Sequence, residues 1–446
     1  RWELGIGSWE FAPLRFRPAS MALFILALAA SLPCPAQPAV DFLLVNGGPI
    51  DGNNDTFYFA GNLDQNPPLR DKSLLWMTRA GFRWFRPYCS DAIIYSWRFV
   101  EPAQGAFRWS EWDSLVAAAN ARGVSFLASI GNGVPQWSNN STDWREKPLD
   151  LHANPMENTS WYRFCNAMAE RYDGDGVNDM PGLTRPIKYW EIWNEPDLRQ
   201  GWNAPTYPAH QFNGTVTDYV RLLQVARAAL KAADPSAVIV GPATAQAAGT
   251  SAPSAVWRMW TWTEFVAAGG LNSVDIASYH TYFGAGVGWD RDGGVDGHLN
   301  TVDAARGGKP VWITEIGWNG DPAAASLDKA QNYVRAVALY WARPFMDRFG
   351  WYDFHESETY SGNNHKGFLQ VLNGSAAQGT EPDPLIHPVH RASAVLARML
   401  DGFAVADRPA AVGVPSTARA FRWTRGAKDV WVFWHRDATG STSVTL

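Results

Sequence analysis

Residues 187–196 read IKYWEIWNEP, and residues 311–318 read VWITEIGW. Both are apolar runs of strand length rich in aromatic and β-branched residues. In the first, Pro196 forces the chain out of a sheet, because proline has no N–H to give to a ladder, and so Glu195 stands at a strand end. The second carries one carboxylate near its end, Glu315. The two glutamates are 120 residues apart (315 − 195), which leaves room for three further strand–helix units and places them on strands four and seven of a βα array.

Strand-like runs recur near Phe57–Gly61, Phe82–Pro87, Val124–Ile130, Ile187–Asn194, Ala237–Gly241, Val274–Tyr282, Val311–Glu315 and Gly350–His355. Between them lie segments of helical period: Ser110–Arg122, Trp161–Tyr172, Val216–Ala233, Ser326–Ala342 and His387–Leu400. The expected fold is therefore α/β, a (β/α)8 TIM barrel over residues 40–401, in which functional side chains gather at the carboxyl ends of the strands. After Leu400 the pattern changes to short alternating runs, clearest at Ala418–Thr424 and Asp429–His435. Residues 402–446 thus read as a small C-terminal β region, with a strand-like run reaching Leu446 in the manner of an incomplete sandwich.

Composition narrows the function classes. The 446 residues are 46% hydrophobic and 18% charged, with a net charge of −5. That describes a folded globular chain lacking the basic excess a nucleic-acid surface needs. The 24 Trp, 14 Tyr and 22 Phe suit the faces of sugar rings as well as a core. Residues 21–39, MALFILALAASLPCPAQPA, read as a secretory signal, with residues 1–20 set aside as an upstream segment. The expectation is a secreted or periplasmic protein with no membrane attachment once the signal is removed. Cys89 and Cys165 read as buried thiols rather than a disulfide.

Two strand-end carboxylates suit glycoside hydrolysis with retention, in which one carboxyl group protonates the leaving oxygen and the other attacks the anomeric carbon, about 5–5.5 Å away. In its motifs the chain resembles clan A of the glycoside hydrolases. Trp193-Asn194-Glu195-Pro196 is similar to the clan's acid/base motif and Thr314-Glu315-Ile316-Gly317-Trp318 to its nucleophile motif. Val100-Glu101-Pro102, Gly105, Phe107, Trp109 and Gly123 continue the likeness. Among named families it looks nearest to family 39 and related bacterial members, although Gly350-Trp-Tyr-Asp-Phe-His355 departs from the Tyr-Trp arrangement of that family's last strand.

The resemblance implies a retaining glycosidase acting on an oligo- or polysaccharide, with Glu195 as acid/base and Glu315 as nucleophile, and no cofactor for catalysis. It also implies that Arg86 holds Glu315 ionised, Asn194 binds the hydroxyl next to the anomeric carbon, Tyr282 hydrogen-bonds Glu315 and His280 lines the first sugar subsite. Trp137, Trp318 and Trp351 are candidate sugar platforms, with plain packing as the alternative for each. Strand alternation puts Ser278, His280 and Tyr282 on one face, and Glu191 on the parity of Glu195 but deeper, as a buried partner for an arginine.

Asp173-Gly-Asp175-Gly-Val-Asn-Asp179 has the spacing of a structural calcium loop. His355-Glu-Ser-Glu358 lacks the two-histidine helical spacing of zinc sites. Two other readings are a barrel that binds carbohydrate without cleaving it, which the presence of both glutamates opposes, and a metal-dependent barrel hydrolase, for which a strand-end cluster of His and Asp is required.

Overall fold

The computed structural model describes residues 42–46, 74–87, 96–198, 211–245, 259–281, 294–317, 325–352, 354–357, 367–371, 385–407 and 417–435, with short pieces at 14–15, 24–26, 248–249 and 443–444. Eight parallel strands close into a barrel: β1 (Leu43–Asn46), β2 (Trp84–Arg86), β3 (Ser125–Ile130), β4 (Tyr189–Ile192), β5 (Val238–Thr244), β6 (Ile276–His280), β7 (Val311–Ile316) and β8 (Met346–Trp351), with β8 pairing β1. The expected (β/α)8 barrel is what forms. The first strand is Leu43–Asn46, where Phe57–Gly61 was expected; residues 57–61 lie outside the described residues. The last strand begins and ends four residues earlier than its sequence pattern suggests.

Around the barrel stand α1 (Ser110–Ala121), α2 (Ser160–Tyr172), α3 (Val216–Ala233), α4 (Trp262–Ala267), α5 (Gly294–Ala305), α6 (Ala325–Trp341) and α7 (Pro388–Leu400). α2 buries Trp161, Phe164, Cys165, Met168, Ala169 and Tyr172, the spacing of one helical face. Its first turn is capped by Thr159, whose hydroxyl accepts from the Tyr162 N–H at 3.0 Å. α3 begins with a reciprocal capping box between Thr215 and Asp218. The Cys165 thiol is free and buried, as expected; Cys89 lies outside the described residues. Among the described residues no helix is long and apolar enough to cross a membrane.

The lower barrel is filled by Leu44, Trp84, Leu127, Val240, Ile276 and Trp312. The Arg348 guanidinium lies over Trp84 at 4.4 Å and over Trp312 at 4.9 Å, so this interior-facing cation is held by ring faces. Such a plug closes the bottom and leaves chemistry to the carboxyl-terminal mouth. Next to Trp351, β8 carries Gly350 because nothing larger fits: a Cβ there would lie 2.6 Å from Leu44 Cδ2 and 2.6 Å from the Thr314 carbonyl oxygen. The Gly350→Ala protein is expected to lose about 1–3 kcal/mol of stability, read as a lower urea midpoint at unchanged slope.

At the C-terminus β9 (Ala404–Asp407), β10 (Ala418–Arg425) and β11 (Lys428–His435) form an antiparallel sheet. It rests on the barrel wall through Trp423 against Trp341, with ring centroids 5.9 Å apart, and through Arg419, whose Nη1 lies 2.8 Å from Asp296 Oδ2. Phe24–Leu26, inside the run read as an export signal, lies along the edge of β11, with Ile25 opposite Val430. The same apolar, strand-forming residues suit a signal core and an edge strand alike.

Candidate active site

The centre of the mouth is one guanidinium. Arg86, the last residue of β2, is buried and divides its donors among β4, the turn that follows it and β7. Its Nε donates to Glu191 Oε2 at 2.5 Å, its Nη1 to Glu315 Oε1 at 2.8 Å and its Nη2 to Asn194 Oδ1 at 2.6 Å. Only a planar fork with several fixed N–H directions satisfies three acceptors at once. Glu191, fully buried on β4, is thus the arginine partner its position suggested, and Ser278 Oγ adds a longer contact to its Oε1 at 3.4 Å.

Glu315 reaches the mouth because β7 breaks its alternation. Trp312 faces the interior, so strict two-residue alternation would bring Thr314 inward and turn Glu315 away. The pairing with β6 shifts instead: Tyr279 sits opposite Ile313 and His280 opposite Glu315. A one-residue irregularity of this kind re-aims every side chain after it.

Glu195 arrives by a different device. Strand alternation holds from Tyr189 to Ile192, after which Trp193 (φ 72°) and Glu195 (φ 49°) adopt left-handed backbone. The parity that linked Glu191 to Glu195 is therefore interrupted by a tight turn. Left-handed conformation is unfavourable for residues with a Cβ and persists only where the surroundings enforce it. Here the Trp193 N–H donates to the Ile130 carbonyl at 2.7 Å, the Asn194 N–H to Asn132 Oδ1 at 3.0 Å and the Glu195 N–H to the Ala243 carbonyl at 3.0 Å. The Trp193 ring is buried edge-on against Phe212, and its Nε1 donates to the Gln211 carbonyl at 3.0 Å.

His280 joins the two carboxylates. Its Nδ1 lies 2.9 Å from Glu195 Oε1 and 3.5 Å from Glu315 Oε2. Burial on its own pushes the imidazole down, but the charge of Glu315 and the hydrogen bond to Glu195 outweigh it and hold the ring above its ordinary value of 6.5. Because the folded value is the raised one, the ring's contribution to stability is complete below 6.5 and is lost as pH rises through the higher folded value. Urea unfolding across that window is expected to show a decline in the wild type that His280→Asn lacks; identical slopes would contradict this placement.

One oxygen each from Glu195 and Glu315 and a nitrogen of His280 all lie within 4.8 Å of one another. Such a trio has the donors for a cation, but Arg86 already brings a positive charge onto Glu315. Asp173, Asp175 and Asp179 form a second close group, away from this one in sequence.

Arg86, Asn194, Glu195, His280 and Glu315 are therefore brought together. Tyr282 and Trp318 lie outside the described residues. Trp137 is partly exposed, packs edge-on against Trp97 and donates from Nε1 to the Glu101 carbonyl at 2.9 Å. Trp351 is buried between Tyr333 and Phe368, which is a packing position.

Three contributors carried no signal strong enough to single them out: Asn132, which fixes the turn; Asp197, whose Oδ1 accepts from the Ala245 N–H at 2.8 Å; and Glu101. In the sequence Glu101 belongs to the run Val100-Glu101-Pro102, whose pattern assigns it no role. Burial pushes its carboxyl up, partly offset by hydrogen bonds from Trp97 Nε1 and the Gly105 N–H, and it anchors the loop on which Trp137 leans.

A family model described as the glycosyl hydrolase catalytic core matches residues 137–379, more than half of the chain. A search of the curated proteins finds no match. Among solved structures, the chain is similar to a GH39 β-xylosidase from Caulobacter crescentus (TM-score 0.55, 20% identity, covering 90% of this chain and 78% of that one). It is also similar to a glucosidase from Croceicoccus marinus (TM-score 0.54, 15% identity, 90% and 77% covered) and to GH5_18 from Streptomyces cattleya in complex with GlcNAc (TM-score 0.57, 16% identity, 82% and 81% covered). At these identities the likeness establishes the barrel fold.

Proposed function

The chain belongs to the glycosyl hydrolase catalytic-core family and is a glycosidase acting on a carbohydrate, and on that premise we propose that it works by double displacement with retention, Glu315 attacking and Glu195 moving the proton. The observation that carries this is the disposition of the two carboxylates at the mouth. They stand in the turn after β4 and on β7 with oxygens within 4.8 Å, and only one of them is paired with the arginine. Inverting enzymes keep their carboxyl groups about 6.5–9.5 Å apart, to admit a water between sugar and base.

Arg86 Nη1 on Glu315 Oε1 favours the charged form of Glu315, as a nucleophile requires. Glu195 is not paired with the arginine, is the more exposed of the two and meets the ring of His280 instead. In the first step a Glu315 oxygen forms a bond to the anomeric carbon while the glycosidic bond breaks and its oxygen takes the Glu195 proton. In the second, Glu195 takes a proton from water, whose oxygen displaces Glu315 from the anomeric carbon. Asn194 uses Oδ1 on Arg86, which leaves its amide N–H groups to donate to the neighbouring sugar hydroxyl.

The names of the similar structures, a β-xylosidase and a glucosidase, support beginning with β-xylosides and with glucosides of both anomers. The apolar run in residues 21–39 supports an extracytoplasmic location. A panel of aryl glycosides identifies the cleaved sugar, and proton NMR of the first product formed reads its anomeric configuration. Initial release of the substrate's own anomer is expected; initial release of the opposite anomer would overturn the mechanism.

A further inference from the structure

We propose that the loop Asp173–Asp179 is a calcium site that braces the approach to β4. Asp173, Asp175 and Asp179 place one carboxylate oxygen each within 4.8 Å of the others. Asp173 is only 4% exposed, and its Oδ2 is buried with no hydrogen-bond partner. The two oxygens of one carboxylate lie side by side, so this partnerless oxygen borders the cluster. A buried anionic oxygen with nothing to bind is a costly feature for a fold to keep, and a cation is the partner it fits.

The surrounding charges point the same way. Asp173 is the C-cap of α2, so three carboxylates crowd the negative end of a helix, where anions are disfavoured. Among the described residues, no lysine or arginine side chain pairs with any of the three. Lys188 Nζ binds the Asp173 backbone carbonyl at 2.8 Å but gives its charge to Asp234 at 2.7 Å. Arg171 Nη1 binds the Asp179 backbone carbonyl at 3.2 Å while Nη2 pairs with Asp113. Lys188 and Arg171 thus hold the loop's backbone and leave its carboxylates to something else.

The donor set selects the ion. It holds carboxylate oxygens with neither sulfur nor imidazole, which suits a hard cation, and three protein carboxylates suit calcium better than magnesium, which gives up its waters reluctantly and is held by one or two. The loop is already shaped. Gly174 N–H and Gly176 N–H donate to the two oxygens of Asp179 at 2.9 and 2.7 Å, and Val177 N–H donates to Asp175 Oδ1 at 2.8 Å. Gly174 (φ 79°) has no room for a side chain, since a Cβ would lie 2.5 Å from Pro186 Cγ. The Ile187 N–H closes the loop onto the Tyr172 carbonyl at 2.8 Å, so an ion here ties the end of α2 to the segment entering the strand that leads to Glu195.

The site is independent of the glycosidase reading and is tested on the chelator-stripped full chain by calorimetric titration and thermal unfolding with calcium or magnesium chloride. One calcium per chain, at submillimolar affinity, and a melting temperature that rises with calcium are expected. Asp175→Asn, at an exposed position whose side-chain oxygen still accepts from Val177, should weaken binding at least about tenfold without changing the calcium-free melting temperature. Asp175→Asn combined with Asp179→Asn should abolish both binding and the thermal shift. The proposal is overturned if the folded wild type binds no calcium at millimolar concentration, if magnesium binds as tightly, or if the double variant binds calcium as the wild type does.

Discussion

Replacing Glu315 with glutamine is expected to lower kcat by on the order of 10⁴-fold, equivalent to about 5.5 kcal/mol of lost transition-state stabilisation. The amide keeps the size of the carboxylate and an oxygen for the Arg86 Nη1 contact, so the fold should survive with a melting temperature within a few degrees of wild type. What is lost is the negative oxygen that forms the bond to the anomeric carbon. Glu195→Gln should behave differently. Its kcat/KM, which reports the first step, should fall severely for substrates with poor leaving groups and only mildly for strongly acidic phenols, which depart without a proton, while kcat falls for both because water in the second step lacks its base. A Glu315→Gln protein that turns over at the wild-type rate would remove Glu315 from the mechanism.

The second large effect belongs to Arg86. A lysine there is a single compact charge and cannot meet Glu191, Glu315 and Asn194 together. Glu191 is fully buried, and without the arginine its remaining described contact is the long one from Ser278. Breaking a buried ion pair by removing one partner typically costs about 3–5 kcal/mol, and Arg86→Met should fall in that range by urea unfolding, with Arg86→Lys, which keeps one charge, losing less. Activity should fall with stability, since Glu315 loses the group that keeps it charged and in place. Adding Glu191→Gln to Arg86→Met should recover part of the stability, by removing the stranded charge, and none of the activity. A stability loss under about 1 kcal/mol for Arg86→Met would show that the three-way contact is not what holds the mouth together.

Much of this architecture is legible in the amino-acid sequence, and the exceptions have physical causes. Six of the eight strands were placed to within about three residues, because buried parallel strands read as apolar runs and Pro196 punctuates the most informative of them. The first strand was misplaced because Leu43–Asn46 spans four residues, too few for periodicity to separate it from the apolar run at 57–61. The eighth was shifted toward the chain end because its interior position is Arg348. A charged residue argues for a loop until the flanking faces of Trp84 and Trp312 are seen to hold it.

At the site, residue types were readable and backbone devices were not. Glu195, Glu315, Arg86, Asn194 and His280 stand out by type and strand-end position. The register shift that turns Glu315 inward and the left-handed turn that lifts Glu195 out of strand parity are set by long-range pairing. No local pattern marks them. Asn132 went unnoticed for the same reason: Gly131-Asn132-Gly133 reads as an ordinary loop, and its purpose appears only when Asn132 Oδ1 is seen to receive the Asn194 N–H.

Glu315 is expected to bond covalently to the sugar. This is tested by incubating the wild type with an activated form of the glycoside it cleaves, bearing fluorine in place of the hydroxyl beside the anomeric carbon. Fluorine there slows both steps, while the activated leaving group keeps the first fast enough for the intermediate to accumulate. Peptide mass spectrometry of the inactivated protein should find a single sugar attached to Glu315. A label on any other residue, or complete turnover through an enzyme that never carries one, would contradict it.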